Sequence, residues 1–251
     1  MVTDADFCHR KPDGLSWEAA SAISTAAMAV TDIVKTAKKS ADGDLVGKKS
    51  LIVGASGPAG QLLTEVLSRE GADVTVVGSG KGVIDTVRPS TRVLDYEVKP
   101  FSEQVEAHSY DLLFDCVGGD EVLSEGREAL KKSGQFLTVA GPIGEANTDA
   151  LSWGEFLLEL NKVGTHMGEG LIFGPSYAFV AGLKPDWAEI DKYILEPGLS
   201  VNVGETIPLS ELDKVREGVD SAMNHWNRDK IVLINDENFG SSGFGSGPEL
   251  N

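Results

Sequence analysis

Ten residues, Leu51 to Gly60 with the sequence LIVGASGPAG, constrain this chain more than any others. Three apolar side chains give way to glycines at 54, 57 and 60, a GxxGxxG spacing, and helix-favouring residues resume at once. A buried parallel strand that ends in a tight glycine turn and feeds a helix leaves the first helical N–H groups unpaired. Together with the positive end of the helix dipole, they can hold an anion. The pattern reads as the pyrophosphate grip of a dinucleotide site. It also fits a purely structural turn, because glycines end strands and admit close helix packing in any βα unit.

Charge narrows the ligand. With 39 acidic against 22 basic side chains the formal net charge is -17, which repels nucleic acid and anionic membrane surfaces. A phosphate ligand would therefore be held by local groups. Cys8 and Cys116 stand far apart with no second pair, so neither a disulfide framework nor a structural zinc site is indicated, and a reducing, cytoplasmic setting is expected. The opening MVTDADFCHR has neither a long apolar core nor the Arg-rich, acid-poor composition of a transit peptide, and no run of apolar residues is long enough to span a membrane.

The order of elements supports the dinucleotide reading. From Lys49 to about Val139 the chain repeats an apolar strand followed by a helix-like segment, the pattern of a doubly wound parallel α/β sheet. Strands are expected at Ser50–Val53, Asp73–Val77, Arg92–Leu94, Leu112–Cys116 and Gln135–Ala140. Helices are expected at Gln61–Glu70 and Val122–Lys132, stopped by Gly71 and Gly134. Ahead of them, residues 1–12 have room for one short strand, and Ser16 is set to cap an alanine-rich helix from Trp17 to about Lys39. After them come a helix at Ser152–Lys162, a glycine-rich stretch at 164–174, the apolar run SYAFVAG, a helix from Trp187, a Ser210-capped helix to about Trp226, and a last strand, IVLI.

The end of the second strand selects between cofactors. A carboxylate there would bond the adenosine ribose, whereas a cation or hydroxyl would accept a 2′-phosphate. The sequence at this point is VVGSGKG, with Ser79 and Lys81 and no acid, since Asp73 precedes the strand. NADP is favoured over NAD, although a solvated loop with a surface lysine fits the same residues. Two more strand ends, at Asp115–Gly119 and Ala140–Pro142, carry small residues that let backbone approach a flat ring; they also suit plain turns. Cys116 reads as a wall of the site rather than a nucleophile, having no histidine near it in sequence. His9, His108, His166 and His225 share no metal-ligand spacing, and no Tyr-Lys pair, nucleophile elbow or Walker lysine is present. The catalytic residues are not identified.

In order, KPDGLSWEAA, GKKSLIVGASGPAG, GADVTVV, RVLDYEV, YDLLFDCVGG, ALKKSGQFLTVAGP, ETIPLSELDKV and DKIVLI resemble the medium-chain dehydrogenase/reductase superfamily in its zinc-independent, quinone-oxidoreductase-like branch. The resemblance implies a Rossmann fold in which Ser56, Gly57, Pro58 and Ala59 meet the pyrophosphate, and Ser79 and Lys81 the 2′-phosphate of NADPH. Tyr96 would pack by the adenine, Cys116 and Val117 would lie by the ribose, and Ala140 near the nicotinamide. Family members begin with a barrel-like GroES-type domain, of which this sequence holds only the end. Residues 1–40 would be a remnant strand and linking helix, 41–200 the NADP-binding domain, 201–235 a return to the remnant catalytic domain, and 236–251 a disordered tail. The two chain ends would form that remnant, pairing with each other in a small sheet or staying mobile.

Several positions depart from the family pattern. Ala29 and Val30 replace a Thr-Ala pair beside the nicotinamide, Pro58 replaces a glycine and so removes one backbone donor, and Asp229-Lys230 stands for Gly-Lys. The expected activity is hydride transfer from NADPH to a small-molecule acceptor, a quinone or an activated enone or enoyl compound, without zinc. A shortened catalytic domain would leave that activity low, and the alternative is a non-catalytic NADPH-binding interaction or sensor protein. Relatives dimerise by pairing edge strands, and SYAFVAG is the segment the resemblance implies for that edge.

Overall fold

The computed structural model describes residues 4–79, 91–140, 161–169, 174–180, 184–194, 203–223 and 230–236. Within them the order is α1 (Trp17–Ser40), β1 (Lys49–Val53), α2 (Pro58–Arg69), β2 (Asp73–Gly78), β3 (Arg92–Asp95), β4 (Tyr110–Asp115), α3 (Asp120–Ala129) and β5 (Leu130–Thr138). A helical stretch at residues 161–169, here α4, precedes β6 (Ser176–Phe179). The chain continues through α5 (Trp187–Ile194), β7 (Val203–Pro208), α6 (Leu212–Met223) and β8 (Lys230–Ile234).

Six strands form one sheet in the order β3-β2-β1-β4-β5-β6, every pairing parallel. This is the doubly wound arrangement that the strand–helix alternation predicts. Its central strands β1, β2 and β4 are mostly apolar and buried because both faces of the sheet are covered. Ile52, Val76, Leu112, Phe114 and Leu137 join a core with α1 and α2, while Leu51, Val53, Val77, Leu113 and Phe136 join a second core with Leu123 and Ala129 of α3. Such a sheet has a single carboxyl edge, and everything needed for a site is carried to it.

Helix α1 starts where expected: the Ser16 hydroxyl accepts the Ala19 N–H at 3.1 Å. Its buried stripe, Ala22, Ile23, Ala26, Ala27, Val30, Ile33, Val34 and Ala37, follows helical spacing. The helix packs on α2 and α5 and also meets β5, β7 and β8. Gly71, at φ +78°, stops α2 as predicted.

Five expectations are corrected. Residues 4–12 hold no strand: Ala5–Phe7 is a single 3₁₀ turn capped by Asp4, and the segment is fixed to α5, with His9 stacked on Trp187 at 4.8 Å and bonded to Asp191 at 3.0 Å. The two-stranded sheet is instead β7 with β8, both from the C-terminal part. Helix α3 ends at Ala129, not at Lys132 before Gly134, because Leu130 pairs with Tyr110 and Lys131 reaches Asp111 at 2.7 Å, drawing helix-favouring residues into β5. The expected helix over Ser152–Lys162 falls on undescribed residues up to 160, and helix continues through Gly164 and Gly168, where an added Cβ would meet open space. Ser210 donates its hydroxyl to Asp236 at 2.6 Å, so α6 begins at Leu212 with that side chain engaged elsewhere. The predicted tail lies outside the described residues.

Candidate functional site

Parallel register sets the ends of the central strands level. Val77, Val53, Asp115 and Thr138 form one row across β2, β1, β4 and β5, and Gly78 stands beside Asp95 of β3. The segments that follow these residues therefore emerge together. They carry Ser56, Gly57, Pro58 and Ala59 after β1, Ser79 after β2, Tyr96 after β3, Cys116 and Val117 after β4, and Ala140 after β5. Of the expected site residues only Lys81 lies outside the described residues. The strand order reverses between β1 and β4, the place where open α/β sheets leave a crevice.

The glycine turn is shaped by backbone collisions. Gly54 has φ +85°, and its N–H and that of Ala55 both donate to the Val77 carbonyl at 3.1 Å. A Cβ on Gly60 would fall 2.2 Å from the Gly54 carbonyl oxygen, and one on Gly54 would fall 2.7 Å from Val117 Cγ2. Both positions thus exclude a side chain, and the helix is drawn tight against the strand. Gly57 caps α2 without a side-chain hydrogen bond and Pro58 occupies the first helical position. The N–H groups of Ala59 and Gly60 have no partner among the described residues. Pro58 lacks its donor at a position tolerant of proline, so two donors remain at the positive end of the helix.

Around this turn the side chains differ in exposure. Tyr96 is 57% exposed and Val117 49%, so both present surface to a ligand, while Ser79 is buried. Asp95, level with the end of β2, accepts the Glu97 N–H at 2.9 Å and is the carboxylate nearest in register to the cofactor-selecting position. Cys116 is partly buried, and burial, followed by the neighbouring Asp115 carboxylate, pushes its thiol up to about 12. Tyr177, stacked on Phe136, is likewise pushed up to about 12, first by burial and then by Asp115 and Asp120. Neither ionises near neutral pH.

Two residues here carry more structure than the sequence suggested. Asp115, 1% exposed, accepts the N–H groups of Val117 at 2.9 Å and Gly118 at 2.8 Å and the hydroxyl of Thr138. Thr138 in turn accepts the Ala140 N–H at 3.1 Å. The available signal is an acid inside the apolar run LLFDCVGG, three residues before paired glycines. Of the described histidines, His108 donates to the Leu130 carbonyl at 2.9 Å, and His166 lies against Tyr177 and 3.6 Å from Glu169; His225 lies outside the described residues. Among the described residues no three His, Cys, Asp or Glu side chains are grouped to hold a metal ion, and no helix is long and apolar enough to cross a membrane.

Residues 90–232, more than half of the chain, match the family described as zinc-binding dehydrogenase. The chain belongs to this family, within the medium-chain dehydrogenase/reductase superfamily. A mouse (Mus musculus) protein, the mitochondrial NAD(P)H oxidoreductase RTN4IP1, is 27% identical over 221 residues, 84% of this chain and 55% of its own length. The chain thus spans about half the length of that curated relative. An NAD-dependent alcohol dehydrogenase structure superposes with a TM-score of 0.67 at 16% identity, covering 91% of this chain and 62% of that one. The quinone oxidoreductase from Coxiella burnetii superposes with a TM-score of 0.65 at 18% identity, covering 90% and 63%. These structural likenesses show the shared fold, and the family match makes the chain a member of an oxidoreductase family.

Proposed function

We propose that this zinc-binding dehydrogenase family member binds NADPH along the carboxyl edge of its sheet and, without zinc, passes hydride to a quinone or an activated enone or enoyl acceptor. The observation that supports it most is the row of level strand ends beside two unpartnered N–H donors at the start of α2. The turn suits the cofactor, because a side chain at Gly54 or Gly60 would collide with Val117 or the Gly54 carbonyl and push the start of α2 away from the end of β1.

Ala59 and Gly60 would donate to the pyrophosphate, with Ser56, Gly57 and Pro58 shaping the turn. Tyr96 would offer its ring to the adenine, Ser79 and Lys81 would meet the 2′-phosphate, Cys116 and Val117 would wall the ribose, and Ala140 would let the nicotinamide lie close. When bound, the cofactor supplies the hydride, so the protein need only place it. A second reading, a non-catalytic NADPH-binding interaction or sensor protein, is favoured by Ala29 and Val30, which stand where the resembled family carries a Thr-Ala pair, with Val30 buried in the core.

NADPH fluorescence on mixing with the purified chain tests binding, and absorbance loss with quinone and enone acceptors tests turnover. Binding with consumption supports the reductase, binding without consumption supports the second reading, and no binding overturns both. Lys81→Ala should weaken NADPH much more than NADH. Equal losses would contradict the 2′-phosphate role and turn attention to Asp95 as a ribose partner. The open edge of β6, with Phe179 exposed, is the proposed dimer edge; sedimentation should give twice the chain mass. A cytoplasmic location is proposed from the sequence, and cell fractionation checks it.

A further inference from the structure

We propose that Asp115 and Thr138 are a positioning pair that locks together the three loops forming the nicotinamide half of the site, leaving the adenine half to other elements. The proposal deepens the dinucleotide reading above and rests on it. Asp115 closes β4 and Thr138 closes β5, side by side in the register. One chain of hydrogen bonds runs from the Ala140 N–H to the Thr138 hydroxyl and on to the Asp115 carboxylate, which also takes the Val117 and Gly118 N–H groups. The turn so held contains Gly118 at φ +87° and Gly119 at φ +93°. It swings Val117 Cγ2 over Gly54, to within 2.7 Å of where a Cβ would stand. Val117 from the second loop and Ala140 from the third are thus tied to one buried carboxylate, and Val117 in turn lies over Gly54 of the first.

Burying a carboxylate is costly, and here three donors offset the cost. A side chain that spends its acceptors on the loops beneath a site, and has almost no exposed surface, acts through those loops rather than on a ligand. Desolvation also makes Asp115 hold its proton more firmly than usual, although the three donors oppose this. The loops after β2 and β3, with Ser79 and Tyr96, receive no hydrogen bond from the pair among the described residues. The division between halves follows from that.

The test compares NADPH with adenosine 2′,5′-bisphosphate, which carries the adenine half alone, by fluorescence and calorimetry on the full chain, alongside thermal melting. Asp115→Ala and Thr138→Val should each weaken NADPH about tenfold or more, the scale for removing a partner that orients a binding group, while the bisphosphate binds as before. Asp115→Asn and Thr138→Ser keep an acceptor or hydroxyl and should recover most of the affinity. Combining Asp115→Ala with Thr138→Val should cost little more than either alone. If Asp115→Ala does not fold, the Thr138 pair of variants decides. Equal weakening of both ligands, unchanged NADPH affinity, or no recovery in the conservative variants would overturn the proposal. Failure of the unaltered chain to bind either ligand would sink the dinucleotide reading itself, a result separate from any of these.

Discussion

The six-stranded sheet and the β7–β8 pair are both built of parallel strands, yet they are covered very differently. In β1 and β2 every residue after the first is buried, whereas β7 buries only Ile207 and β8 only Val232. The sequences forecast this contrast. SLIV and VTVVG lack charges, while VGETIP and KIVLI mix polar and apolar residues. A parallel sheet gains its stability from layers on both faces. The central sheet has α1 and α2 on one face and α3 on the other; the small pair has α1 and α6 contacts but leaves Leu233 41% exposed.

The sharpest measurement of cover is thiol chemistry. With its pKa pushed from 9.0 to about 12, Cys116 at pH 8 should be only about 10⁻⁴ thiolate, and its alkylation should be about a thousandfold slower in the native chain than in denaturant. Cys8, exposed on the N-terminal segment, should be modified first; mass spectrometry of the labelled peptides reads both. Comparable native rates would break the contrast.

Truncation comes next. Phe114→Ala removes a fully buried ring between the sheet and α1, and should cost about 3–5 kcal/mol in urea unfolding. Leu233→Ala in β8 should cost under about 1 kcal/mol, because much of that side chain is already in water. The same Gly→Ala change then separates the regions again. At Gly60 the new methyl meets backbone, the Gly54 oxygen at 2.2 Å and the Ala55 Cα at 2.7 Å, so a loss of about 3 kcal/mol and of NADPH binding is expected. At Gly218 it meets the free end of Ile207 at 2.8 Å, which can swing aside, and a helix-propensity gain of about 1 kcal/mol should leave stability nearly unchanged.

The smallest effect is a slope. Burial raises the Asp115 pKa above its usual 3.8, so the folded chain binds this proton more tightly than the unfolded one does. The resulting stabilisation is complete below about 3.8, is lost as pH climbs through the raised value, and is absent above it. Asp115→Asn cannot titrate, so its stability should gain on that of the unaltered chain as pH rises from about 4 toward neutrality in denaturant titrations. Parallel pH profiles would show that the carboxyl ionises as freely in the fold as outside it.

Strands β1 to β5 and the doubly wound arrangement were legible because strand and helix patterns alternate along the sequence, and the site's backbone was legible because only glycine suits the conditions at 54 and 60. What escaped depended on partners distant in sequence. Leu130 is strand because Tyr110 lies beside it, and the N-terminal segment is turn rather than strand because Trp187 and Asp191 hold His9. Asp115 and Thr138 are separated along the chain and meet only when β4 and β5 align, so nothing local reveals their bond. Lys81 was the reverse case: its chemistry is plain in the sequence, but it lies outside the described residues.

Every strand pairing in both sheets is parallel. Among the described residues no two paired strands can zip up from a tight turn, since each pairing waits for the chain between its members to be laid down. The entropy of closing those loops is lost before the contacts that repay it form, which places folding toward the slow end for chains of this kind and keeps unpaired strand edges open meanwhile. For this acidic chain, a net charge of -17 adds a mutual repulsion that disfavours association of copies whose strand edges are still unpaired.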